Sequence, residues 1–293
     1  MNTESADPAT FLYGNTASHT WRSWTNRFLS GLVIVFSVIT FVPLISILYL
    51  VVKNGSPLLT AAIFTELPPA AGMTGGGFGN ALVGTFVMVG IGLAIAAPIG
   101  ILSAIFINEY ATRSVLARAV RLVAKLLTGI PSIICGVFAF AVVVVTLGTF
   151  SAYAGGVALA VLMLPTILLT SEQALIGVQS AYREASIGLG ATSLQTILRV
   201  VLPDALPAIM TGIMLAVARA AGETAPLIFT ALFSQFWARS LNEPTASLSV
   251  LIYNFSSVPF QHQIDMAWTA SLVLVVFVTM ANIAAQLAFT KKP

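Results

Sequence analysis

Arg219, Glu223 and Thr224 fall inside an otherwise apolar run that extends over residues 205–233. An arginine and a carboxylate four residues apart meet on one face of a helix. A guanidinium offers a planar fork of donors that matches a tetrahedral oxyanion through two parallel hydrogen bonds, where a lysine would supply only a point charge. Counted from Pro207, Arg219 is twelve residues into the run, which at 1.5 Å per residue is about 18 Å, near the middle of a ~30 Å hydrocarbon core. Ionisable groups at that depth are costly and face a protein interior or a watery cavity. The chemistry on offer is a lowered electrostatic barrier for an anion. The competing reading is an internal ion pair that does no more than neutralise Arg219. Gly222, which opens space beside the pair, the Thr224 hydroxyl, and Pro226 one turn later favour the first reading.

A positioning scaffold for such a pair must itself sit in lipid. Of 293 residues, 58% are hydrophobic and only 8% charged, which overrules the two soluble domains that the length alone would suggest. Six runs approach the roughly 20 apolar residues that a bilayer crossing needs: 29–52, 81–107, 126–147, 152–169, 205–233 and 267–289. The fourth is the shortest and is interrupted by Pro165. The expected fold is all-α, with a tail over residues 1–28 and a six-helix transmembrane domain over residues 29–290.

The basic residues orient these spans. With the N-terminus inside, the inner segments hold Arg22, Arg27, Arg113, Arg118, Arg121, Lys125, Arg183, Arg199, Lys291 and Lys292, and the outer ones hold Lys53 and Arg239. Both termini are therefore expected in the cytoplasm. The net charge of +3 reports topology, and a nucleic-acid role has no support. Cys135 is the single cysteine, so no intramolecular disulfide is possible, and it reads as a small packing residue. The tail has no short apolar region with a small-residue cleavage site, so the first span reads as an uncleaved anchor.

Orientation also exposes one moderately polar stretch, residues 174–204, to the cytoplasm. Glu184, Ala185, Gly190, Val200, Leu202 and Pro203 suggest two helical pieces separated by a turn: a small residue for close approach, a glycine for positive φ, and a proline for the first turn of the second helix. This spacing resembles the coupling motif of ATP-binding-cassette importer permeases, Glu-Ala-Ala, three residues, Gly, nine residues, then Ile-x-Leu-Pro. Ser186 and Val200 depart from that pattern and stay close in size, while five of seven fixed positions match.

The second half carries the resemblance further. Arg219-Ala220-Ala221-Gly222-Glu223-Thr224-Ala225-Pro226-Leu227 is similar to the Arg-x-x-Gly-Glu-Thr-Ala-Pro run of the A-type permeases of phosphate-specific importers. The runs from Gly77 to Thr85 and from Leu248 to Tyr253 also look like that family. The resemblance implies a type I importer permease fold and inorganic phosphate as cargo. It implies Arg219 and Glu223 in the pathway; from their chemistry Arg219 is expected to lower the barrier to phosphate, and Glu223 to position Arg219 and accept the proton of monohydrogen phosphate. It also implies partners: a homologous second permease of the C type, two cytoplasmic ATP-binding subunits and an external phosphate-binding protein. This chain is expected to hydrolyse no ATP itself, because none of its four lysines, Lys53, Lys125, Lys291 and Lys292, lies in a phosphate-binding loop; ATP would be used by the partner. A permease for molybdate, sulfate or phosphonate, an ion-coupled secondary carrier, for which internal repeats would be the usual sign and none is found, and a purely structural subunit are the alternatives.

Further features read more plainly. Trp21, Trp24 and Phe28 among Arg22 and Arg27 suit the headgroup boundary. Arg118, Arg121 and Lys125 share a helix face and read as a basic stripe toward anionic membrane lipid, with contact to an ATPase as the second possibility. The cluster Gly75-Gly76-Gly77-Phe78-Gly79 is followed by no Gly-Lys-Ser/Thr, and reads as flexibility at a helix entry. Glycines and prolines in the second and third spans read as helix packing. The segment 247–255 is too short to span and is expected at the interface or dipping partway. His262 and Asp265 are two lone ligands, better read as solvated than as a metal site; His19 is uninformative.

Overall fold

In lipid every backbone polar group must find its partner inside the protein, and helices are the simplest chain to do so. The computed structural model describes residues 16–289 and contains only helices and connections there. Expectations placed on residues 1–15, on the side chains of His19, Trp21 and Arg22, and on Lys291 and Lys292 lie outside the described residues.

In chain order the helices are α1 (Thr16–Gly55), α2 (Ala62–Thr65), α3 (Gly79–Ile105), α4 (Val115–Gly129), α5 (Ser132–Ala139), α6 (Val145–Leu147), α7 (Ala152–Ile176), α8 (Ser180–Gly188), α9 (Ser193–Thr196), α10 (Leu202–Ala221), α11 (Ala225–Ile228), α12 (Leu248–Ser256) and α13 (Gln261–Phe289). Three π-helical turns, Phe106–Tyr110, Phe140–Val144 and Ile197–Val201, continue α3, join α5 to α6 and join α9 to α10. Among the described residues, five helices are long and apolar enough to cross a membrane, and α4 with the α5–α6 segment makes a bent sixth.

The chain forms two compact units, Met1–Val52 and Lys53–Pro293. What is described of the first belongs to α1, which is mostly apolar over residues 29–52. The second is built on α3 and α7, whose crossing depends on small residues: a side chain at Gly92 would stand 3.1 Å from the carbonyl oxygen of Gly156, and one at Gly100 would stand 2.9 Å from Ile167. Without a hydrophobic drive between helices in lipid, such close approach is what holds them. Met88, Leu159, Met163, Ile167, Ile209 and Leu227 fill the space between α3, α7, α10 and α11. A second cluster joins Phe78, Leu248, Leu251, Phe255 and Met266.

Several boundaries differ from those expected. The third span is not a single run over 126–147: it bends by 107° between α4 and α5. Pro131 forces Ile130 into extended backbone, φ −75° and ψ 134°, which ends α4. The fourth runs unbroken past Pro165 to Ile176, longer than expected. The fifth starts earlier, at Ser193, and ends earlier, at Ala221, so it does not reach residue 233.

The glycine cluster is not a flexible entry. Gly75 and Gly76 have φ of 87° and 76°, and a side chain at Gly77 would meet the carbonyl oxygens of Ala62 and Ile63 at 2.5 and 2.6 Å. The loop folds back tightly on α2, burying Phe78 completely. The segment expected at the interface or dipping partway forms α12, whose Leu248, Ser249, Val250, Leu251 and Phe255 are buried against the rest of the chain. His262 Nε2 lies 3.0 Å from both the amide nitrogen and the carbonyl oxygen of Gly75, and Asp265 accepts from Gln261 at 2.8 Å.

Candidate functional site

α10 ends where Gly222 interrupts it. The Gly222 amide turns back to the Arg219 carbonyl (3.2 Å) and that of Glu223 to the Ala220 carbonyl (3.2 Å), a tight closing turn in place of a further helical one. Thr224 then starts α11 by accepting from the amides of Leu227 and Ile228 at 3.1 and 3.2 Å. Pro226 sits on α5, where a side chain at Gly136 would be only 2.6 Å from its Cα. Ser249 Oγ, from α12, donates to the Glu223 carbonyl oxygen at 2.8 Å. The break is thus held from two sides by close packing and by a hydrogen bond.

Arg219 occupies the last turn of α10, and Glu223 lies beyond it. The expected pairing therefore occurs, Arg219 Nε to Glu223 Oε1 at 3.6 Å, but across a helix end, not along a helix face. The Arg219 side chain is half exposed and that of Glu223 only 16% exposed. At 3.6 Å the contact is an ion pair too long for a direct hydrogen bond. No hydrogen bond from the Arg219 guanidinium occurs among the described residues, so its donor fork is available to an anion. Gly222 faces open space, with only the Arg219 carbonyl oxygen within reach of an added Cβ, at 3.7 Å.

The stretch over residues 174–204 forms the two helical pieces that its residues suggest. Glu184 and Ala185 lie on α8. Gly190 follows with φ 85°, in the left-handed region where glycine has no steric penalty. A capping box between Thr192 and Gln195 starts α9. Val200 lies in the π-helical turn, and Leu202 and Pro203 open α10. Pro203 does not start a new helix, because the ladder runs on from Ser193 through the π turn. Proline has no N–H and crowds the carbonyl four residues back; the wider turn just before it accommodates that loss.

Sequence reasoning missed the pairing of four charged residues near this elbow. Arg121 is no part of an exposed stripe: its Nε meets buried Glu172 of α7 at 2.5 Å and its Nη2 donates to the Ile107 carbonyl at 3.1 Å. Arg118 and Lys125 remain exposed. Arg183 of α8 donates to Glu109 at 3.0 Å. The signal was present as Glu109 and Glu172, two acids in apolar surroundings that require cationic partners.

Residues 96–290 match the family described as binding-protein-dependent transport system inner membrane component. The chain is 36% identical over 284 residues to a phosphate transport system permease protein PstA of Yersinia pestis, covering 97% of this chain and 96% of that protein. It is 38% identical over 272 residues to the PstA of Haemophilus influenzae, covering 93% and 96%. Among solved structures, a bacterial alginate ABC transporter in complex with a periplasmic protein shares the fold with a TM-score of 0.62 at 19% identity, covering 90% of this chain and 95% of that one. The MetNI methionine ABC transporter does so with a TM-score of 0.56 at 24% identity, covering 72% and 94%.

Proposed function

Because this chain belongs to the PstA family of phosphate transport system permeases, within the binding-protein-dependent transport permeases, we propose that it forms half of the translocation pathway of an ATP-driven phosphate importer. A homologous C-type permease supplies the other half, two cytoplasmic ATP-binding subunits supply the work, and an external phosphate-binding protein delivers the cargo. The chain is a multi-pass subunit of the plasma membrane with both termini in the cytoplasm. ATP is used by the partner subunits, and this chain is a non-catalytic transport subunit.

The observation that carries the reading is the half-exposed, loosely paired guanidinium of Arg219 at a helix break inside the transmembrane bundle. Phosphate presents two oxygens to that fork. Glu223 holds the fork in place and accepts the proton of monohydrogen phosphate, an interaction that a fully deprotonated oxyanion such as sulfate lacks. Thr224 adds a hydroxyl at the same break. The outer end of the helix is thereby matched to the cargo.

At the other end of the same continuous helix lies the elbow. α8 buries none of its residues, Glu184 is exposed, and Leu189 is 90% exposed at its tip. A solvent-facing elbow that exposes Tyr182, Ile187 and Leu189 beside an outward carboxylate suits a groove on an ATP-binding subunit. Closure of those subunits on ATP moves α8, and with it α9, the π turn and α10, so the Arg219 region opens in turn to each side.

The test is reconstitution of the complete assembly in vesicles with labelled phosphate. Uptake that requires ATP and the binding protein, and that resists excess molybdate, sulfate and phosphonate, supports the reading. Accumulation without the ATP-binding subunits would mark an ion-coupled carrier, and equal displacement by another oxyanion would reassign the cargo.

A further inference from the structure

An elbow can transmit work only if something fastens it to the bundle, and α8 has no buried residue with which to grip. On its C-terminal side the connection runs through Gly190 and a hydrogen bond between the hydroxyls of Ser186 and Thr196 at 2.9 Å. On its N-terminal side, among the described residues, Arg183 makes the side-chain attachment. Arg183 Nη1 donates to the Val178 carbonyl at 2.6 Å, and Nη2 donates to the Leu175 carbonyl at 2.8 Å and to Glu109 Oε1 at 3.0 Å. Leu175 is in the last turn of α7, where carbonyls lack helical partners and a cation is favoured. Glu109 belongs to the π-helical end of α3. One guanidinium therefore ties α8 to the cytoplasmic ends of α7 and α3 together.

A second pair locks those ends to each other. Arg121 of α4 joins Glu172 of α7 to the Ile107 carbonyl in the same π turn that carries Glu109. Asn108 Nδ2 donates to Glu109 Oε1 at 2.7 Å and fixes that carboxylate. The side chains of Glu172 and Glu109 are only 4% and 12% exposed, so water screens these contacts weakly.

We propose that Arg183 and Glu109 are positioning residues for coupling, a clasp through which displacement of α8 moves the α3–α7 pair as well as α10. This rests on the function proposed above. The fork is essential, because a lysine at 183 would keep the charge and lose the simultaneous reach to two carbonyls and a carboxylate. Without the clasp, α8 moves with the ATP-binding subunits while α3 and α7 stay behind, and ATP is hydrolysed with less phosphate moved.

The experiment measures phosphate transported per ATP hydrolysed by the reconstituted assembly carrying E109Q, R183Q, R183K and the E109Q/R183Q double variant. Loss of a charge-assisted hydrogen bond lowers the ratio about tenfold in E109Q and R183Q, with partners still co-purifying and ATP hydrolysis retained. R183K falls between these and the wild type, and the double variant is no worse than either single one. E109Q keeps the side chain's shape and an acceptor oxygen, so it decides the matter if R183Q fails to assemble. A wild-type ratio in E109Q, or losses that multiply in the double variant, would overturn the clasp. Wild-type assemblies that hydrolyse ATP and move no phosphate would instead contradict the proposed function.

Discussion

Arg219 and Glu223 face each other across the end of α10, 3.6 Å apart, with Gly222 as the residue at which the helix stops. Had the helix continued, the two side chains would form a self-satisfied pair along one face. The break sends Glu223 out of the helix, toward Ser249, which fixes its backbone. It leaves the arginine as a half-exposed cation at a helix C-terminus, held near the carboxylate but not consumed by it.

The elbow predicts a backbone effect that can be separated from contact effects. Gly190 has φ 85° with nothing within 4 Å of an added Cβ, so any penalty is conformational. Alanine there costs about 1 kcal/mol or more, while asparagine tolerates the left-handed region. G190A lowers phosphate moved per ATP several-fold, and G190N stays closer to wild type; equal ratios in the two variants would show that positive φ is immaterial. Removal of the Glu184 carboxylate uncouples without disturbing the fold of the bundle.

Close approach of α7 and α10 gives a prediction about assembly. A Cβ at Gly212 would collide with Thr170, whose Cβ would be 2.6 Å away. G212A therefore reduces the folded yield in membranes, and T170G restores part of it. T170A restores less, because it removes Oγ1 at 2.1 Å but keeps the Cβ at 2.6 Å. Equal rescue by T170A and T170G in a detergent-extraction yield assay would contradict this packing.

Buried Glu172 predicts a measurable asymmetry. Replacement of Arg121 by Met leaves a carboxylate that is 3% exposed without its cation, a change that costs about 3 kcal/mol. Replacement of both, R121M/E172L, removes the stranded charge. The single variant melts well below the double variant in detergent, as read by intrinsic fluorescence or light scattering. A double variant that is the less stable of the two would show that the pair contributes more than its desolvation costs.

Much of this was legible in the residues themselves. Runs of apolar residues located the spans, and the spacing from Glu184 to Pro203 gave both pieces of the elbow and the glycine between them. Arg219 and Glu223 stood out because charge within an apolar run is rare in lipid. Breaks were less legible. Gly222 closes α10 with a helical φ of −91°, so nothing in its residue type separates it from glycines that merely let helices approach. The Pro131 bend needed the extended backbone at Ile130, whereas Pro165 sits unremarked inside α7, and local sequence does not distinguish the two. The Arg183–Glu109 contact joins residues 74 apart, a separation that periodicity does not reach. The basic stripe failed for the same reason, since the partner of Arg121 lies 51 residues away.

The most direct measurement is the initial rate of ATP-dependent uptake of labelled phosphate by the complete reconstituted assembly, with Arg219 intact, as R219K and as R219A. Loss of two charge-assisted hydrogen bonds to the anion lowers uptake by R219A about 100-fold or more, with partners still co-purifying, and R219K retains part of the rate because it keeps the charge without the fork. Accumulation of phosphate by R219A at the wild-type rate would contradict the account and reduce the pair to an internal ion bridge.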